Sequence, residues 1–115
     1  MPGRIVIKGK RKSKYNAKRT VVDGVTFDSK KEAEYYRHLL QLVKCGEIKR
    51  LELQPEIELN ASNGKKVCSY FCDFLYWSNK ERNWIYVDVK GVKTAMYRLK
   101  KKWVEIQYGI KITEI

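Results

Sequence analysis

The chain predicts an α/β fold of the α+β kind, with helices packed on a central mixed sheet. Three observations carry this: a two-residue hairpin signal near the start, two amphipathic helical stretches separated by strand-like runs, and a short apolar strand after the second helix. The predicted order is hairpin, helix, three strands, helix, strand. At 115 residues the chain is one domain with one modest core, and it shows no internal repeat.

TVVDGVTF, residues 20–27, opens the domain: Asp23-Gly24 between β-branched runs is a two-residue hairpin turn. FDSKKEAEYYRHLLQLVKCGEI, 27–48, reads as a helix, capped by Ser29, stopped by Gly46, and carrying Ala33, Tyr36, Leu39, Leu40 and Val43 at helical spacing. LELQPEIEL, 51–59, alternates, and Pro55 makes it an edge strand or two short strands. VCSYFCDFLYW, 67–77, reads as one strong strand, SNKERN as a polar turn, and WIYVDVKG, 84–91, as its antiparallel partner. Thr94 caps a second helix over about 95–108, with Ala95, Met96, Leu99, Trp103 and Ile106 as its apolar stripe. Gly109 ends that helix, and IKITEI returns as a crossover strand.

Charge narrows the function. The chain holds 25 Lys+Arg against 13 Asp+Glu, a net charge of +12. Residues 1–20 contain eight cations and no acid, among them Lys10, Arg11, Lys12, Lys14, Lys18 and Arg19. Residues 1–19 therefore read as a mobile basic arm and 20–115 as a nearly balanced body, a distribution that suits a polyanion such as nucleic acid. No apolar run approaches the ~20 residues of a membrane span, and the N-terminus lacks the apolar core of a secretory signal, so a cytoplasmic, membrane-free protein is expected. Cys45, Cys68 and Cys72 form no CxxC pair, and His38 is the single histidine. A Cys/His zinc site and a His-based triad are thereby disfavoured, leaving the cysteines as reduced thiols.

The acids carry the chemistry. If Trp77 pairs with Trp84, Asp73 lies directly opposite Asp88, and Lys90 shares their face one pleat along. Two opposed carboxylates in an apolar setting repel and resist desolvation, and a divalent cation resolves the conflict, with the Val89 carbonyl well placed to help. Each residue also has a plainer role, Asp73 bonded to a backbone amide and Lys90 in a salt bridge. On the first helix Glu32 lies within about 45° of the apolar stripe's centre and so faces the sheet. Ser29 to Glu32 is also capping-box spacing. The two roles are compatible, since one carboxylate oxygen can cap while the other faces a metal-bound water.

FDSKKEA with Glu32, YFCDF with Asp73 and VDVKG with Asp88 and Lys90 together resemble the core of the PD-(D/E)XK nucleases, although Cys72 stands where the superfamily name has Pro. SKYNAKRT, DGVTFDSKKEAEYY, LQPEIEL, DVKGVKT and YRLKKKW are closer still to a small phage-encoded family described only as a domain of unknown function, from about residue 13 to the end. The resemblance implies a restriction-endonuclease-like core and a Mg²⁺-dependent DNA endonuclease, with Mn²⁺ able to substitute. Asp73, Asp88 and the Val89 carbonyl would bind the metal, Glu32 would act through water or a second ion, and Lys90 would orient water and stabilise charge on the phosphate. Gln54 is an accessory candidate. Lys93, Arg98, Lys100 and Lys101, with the arm, would hold DNA; a homodimer, branched DNA such as a Holliday junction and a role in DNA recombination also follow from the resemblance. The alternatives are a non-catalytic nucleic-acid-binding module on the same fold, or a toxin or inhibitor of a nucleic-acid enzyme.

Overall fold

Asp23 and Gly24 take positive φ (51° and 79°), as a tight hairpin turn requires, and join β1 (Thr20–Val22) to β2 (Val25–Phe27). The structure is a computed structural model and describes residues 19–115. Helix α1 (Lys30–Lys44) starts at Ser29, whose Oγ accepts the Glu32 N–H at 3.1 Å. It ends at Cys45, with Gly46 at φ 75°, inside the predicted 27–48. Ala33, Tyr36 and Leu39 are buried on its inner face, whereas Val43 in the last turn is exposed.

Pro55 does divide its segment, into β3 (Ile48–Leu53) and β4 (Glu56–Asn60). The single strand expected over 67–77 is also divided, into β5 (Lys66–Phe71) and β6 (Phe74–Ser78). One register runs through both breaks, because Leu53 pairs with Phe74 and Glu56 with Phe71. The four strands are thus one long hairpin, bent where Gln54-Pro55 lies across from Cys72-Asp73. Proline cannot donate to a ladder, Gln54 turns through φ 49°, and the Gln54 N–H still reaches the Asp73 carbonyl at 3.0 Å. Alternation within VCSYF and DFLYW suits a strand on either side of the bend, so nothing local marked residues 72–73 as the corner.

Past a four-residue turn, β7 (Asn83–Asp88) pairs antiparallel with β6 in the expected register, Trp77 opposite Trp84. Helix α2 (Ala95–Tyr108) is capped by Thr94 and closed by Gly109 at φ 64°. It carries the chain to β8 (Ile112–Glu114), parallel to β7. The central sheet is mixed, in the order β3-β6-β7-β8, and the molecule is α+β.

Two cores flank this sheet. On one face α1 and the first hairpin bury Leu39, Phe74, Val87 and Val89; on the other, α2 and the β4–β5 arm bury Ile57, Leu59, Tyr70, Leu75, Tyr86 and Val104. The α2 stripe departs from expectation. Val104 is its one buried residue, Tyr97, Trp103 and Tyr108 are partly buried, and Met96, Leu99 and Ile106 point to solvent. The helix presents its Tyr97/Val104/Tyr108 side to the protein because aromatic rings reach across to the bent arm. Among the described residues no helix is long and apolar enough to cross a membrane.

Candidate functional site

The β6–β7 register puts Asp73 directly before β6 and opposite Asp88, the last residue of β7. Both are buried, Asp88 completely. The Asp73 N–H donates to the Val87 carbonyl (2.9 Å) and Asp73 Oδ2 accepts the Val89 N–H (2.7 Å), so its carboxylate extends the ladder beyond the strand. This is the backbone-amide role also weighed for Asp73 from the sequence.

Asp88 is held differently. Its Oδ2 accepts the Tyr70 hydroxyl from β5, while its Oδ1 is buried without a hydrogen-bond donor. The Lys90 ammonium lies 3.6 Å from that oxygen, an ion-pair distance too long for a hydrogen bond. Burial pushes the Asp88 carboxyl up to about 6; Lys90 pulls against it, and Glu114 adds to it. Alternation explains the pairing: Val87 and Val89 belong to the α1 face, so Asp88 and Lys90 emerge toward α2.

A further acid, Glu114, lies beside Asp88. Parallel pairing sets Glu114 of β8 next to Asp88, so Asp73, Asp88 and Glu114 form a row across β6, β7 and β8. Tyr97 of α2 donates its hydroxyl to Glu114 Oε2 at 2.7 Å, and its ring lies 4.8 Å below Lys90 Nζ. The Tyr97 phenol is held protonated, first by burial and then by that hydrogen bond, and the same bond draws the Glu114 carboxyl down. Tyr70, Tyr97 and Glu114 escaped the sequence reading. TEI carries no motif, and a tyrosine's type alone does not say whether its hydroxyl meets an acid. The parallel placement of the last strand, already inferred, could have flagged Glu114.

Glu32 is buried in the first turn of α1, on the helix packed against the opposite face. That turn does reach the same end of the sheet: Lys31 Nζ donates to the Ile115 backbone oxygen (2.8 Å), and Ile115 itself bridges the backbones of Asp88 and Lys90. Among the described residues, no group of three or more His, Cys, Asp or Glu side chains is gathered closely enough to hold a metal ion. Strand pairing brings together Asp73, Asp88 and Lys90, with Val89 between them. Gln54 sits at the bend, its backbone bonded to Asp73. Cys72, beside Asp73, is fully buried, its thiol pushed up to about 12 chiefly by burial.

Several cations expected to contact DNA are engaged within the fold. Lys93 pairs with Glu114 at 3.4 Å, Lys101 with Glu105 at 3.7 Å, and Lys100 donates to the Ser69 carbonyl at 3.0 Å. Arg98 and Arg19 are exposed. Lys10, Arg11, Lys12, Lys14 and Lys18 lie outside the described residues.

Compared with known proteins, residues 12–114 match a family model described as a protein of unknown function, DUF1064. No curated protein and no solved structure matches the chain.

Proposed function

The chain belongs to the DUF1064 family, and we propose that it is a metal-dependent DNA endonuclease with a restriction-endonuclease-like core. The observation that carries this is the Asp88 carboxylate oxygen, buried and without a hydrogen-bond donor, 3.6 Å from Lys90 and across the ladder from Asp73. A buried carboxylate oxygen lacking a donor is costly unless something cationic completes its shell. Mg²⁺, or Mn²⁺ in its place, fits a donor set of Asp73, Asp88 and the Val89 carbonyl. When bound, the cation supplies Lewis-acid chemistry and lowers the pKa of water.

The residues of the chain do the rest. Asp88 must lose its proton to take a cation, which its raised pKa sets near pH 6. Lys90, steadied over the Tyr97 ring, directs an ammonium to where a phosphate oxygen gains charge. Glu32 contributes from the adjoining turn of α1 through water or a second ion. Arg98 and the basic arm hold the DNA backbone.

Incubating the protein with supercoiled and branched DNA, in Mg²⁺ or chelator, tests the reading. Metal-dependent nicking that Asp88→Ala and Lys90→Ala both abolish is expected; salt-sensitive binding with no cutting in any metal would refute it. That second outcome is the non-catalytic binding module.

A further inference from the structure

Lys49 and Arg50 are neighbours in β3, and neighbouring side chains of a strand ordinarily point to opposite faces. Here both line one recess of about 360 Å³, together with Trp77 and Trp84. The β3–β6 ladder shifts register between Lys49 and Glu52, and Arg50 takes φ 55°, a conformation uncommon for a residue with a side chain. Both cations are exposed, so packing within the body does not account for the bent backbone. Strain of this kind gathers where a chain binds something. Among the described residues neither side chain has an ion-pair or hydrogen-bond partner, although Glu52, the one acid of β3, offsets part of the Arg50 charge.

We propose that this face binds the unpaired bases of a single-stranded nucleic acid, a reading that rests on the nucleic-acid partner proposed above but not on cleavage. Lys49, Trp77 and Trp84 stand side by side across β3, β6 and β7. The two indoles meet edge to face, with centroids 5.7 Å apart and planes at 78°. That leaves an L-shaped corner, in which a base lies flat on one ring while its edge meets the other. Trp77 belongs to neither core, so its ring is held at the surface by Trp84 rather than by the interior. Beyond Trp84 a second recess, of about 600 Å³, continues to Tyr108 and Lys111. The strip therefore runs from two cations, over three aromatic rings, to a third cation. Aromatic faces take bases of any sequence, and flanking cations take the phosphates. A duplex keeps its base faces inside the stack, so these rings fit unpaired bases. An apolar protein surface would strip water from Lys49, Arg50 and Lys111 and offer no anion in return.

The strip has a fixed relation to the acids. Trp84 and Asp88 share a face of β7 and lie about 13 Å apart along the strand. Tyr86 between them is buried beneath α2 and the β4–β5 arm, so the strip and the Asp88–Lys90 site open at opposite ends of β7. A substrate that reaches both carries an unpaired segment close to the bond it presents.

Anisotropy of dye-labelled strands of ~12 nucleotides, titrated with the full chain in chelator so that nothing is cut, tests the strip. Oligo(dT) should bind about tenfold or more tighter than an abasic strand of equal length, and Trp77→Leu should remove most of that difference. Trp77→Phe keeps a ring and should restore it in part. Lys49→Ala with Arg50→Ala should weaken both strands alike, through lost phosphate contacts. Oligo(rU) run alongside distinguishes RNA from DNA as the source of the bases. Photo-cross-linking of a halogenated oligo(dU) strand reads the same contact without any substitution, and should mark Trp77 or Trp84. An abasic strand bound as tightly as oligo(dT), full discrimination kept by Trp77→Leu, or cross-links confined to the basic arm overturns the proposal. Base-dependent binding by a protein that cuts no DNA in any metal refutes the endonuclease and leaves the strip; cutting without base-dependent binding does the reverse.

Discussion

At Asp88 the physics separates stability from function. Its carboxyl titrates near 6 in the fold and near the ordinary carboxylate value in the unfolded chain. A raised acid pKa means that the native state holds the proton more tightly. The stability this contributes is complete below the unfolded value and is lost as pH climbs through the folded one, a difference of about 3 kcal/mol. The metal-free protein should therefore lose stability between about pH 4 and pH 6, and Asp88→Asn should flatten that dependence in pH-resolved thermal melts while abolishing cleavage. Tyr97 permits a finer test. Tyr97→Phe keeps the ring under Lys90 and loses the Glu114 bond; Tyr97→Leu loses both. Cleavage rates should fall a few-fold for the first and by about tenfold or more for the second, matching the ~1–2 kcal/mol of a partly desolvated cation–π contact. Asp73, Asp88 and Lys90 were legible as a set because strand alternation and an even turn fix which side chains share a face. Tyr70 and Glu114 were not, since tertiary placement of β5 and β8 brings them there.

Elements were legible wherever chemistry marks their ends. Asp23-Gly24, Ser29, Gly46, Thr94 and Gly109 all sit at the boundaries their residue types imply, because each supplies a backbone conformation or a hydrogen bond that others supply less well. The corner at Cys72-Asp73 had no such marker. It follows from the partner strand, where Pro55 and the positive φ of Gln54 force the bend that the opposite strand must copy. The outward stripe of α2 was misassigned for a related reason: helical period identifies an apolar face but not what it faces. On α1 the cap is open to direct measurement. Ser29→Ala removes the acceptor of the Glu32 N–H and should cost about 1 kcal/mol, read as a drop of roughly 4–8 °C in thermal midpoint. Cleavage should change little if Glu32 keeps its place.

Over the whole molecule, charge and fold divide the work. The folded body commits Lys93, Lys100 and Lys101 to internal partners. On the proposed reading, much of the attraction to DNA therefore falls to the first eighteen residues, which carry seven cations and no acid. Deleting them should weaken DNA binding and make the log–log salt dependence shallower by several charges, since each contacted phosphate adds about 0.9 to the slope. Binding measured from low to moderate salt checks this, and an unchanged slope would move the attraction to the body. The buried thiol at the hairpin's corner offers one more consequence. Cys45 is open to reagents, whereas Cys72 is sealed and its thiolate suppressed. A thiol-reactive dye should modify the first at once and the second only when the corner swings open, so the slow phase of labelling becomes a clock for that opening, read without any substrate at all.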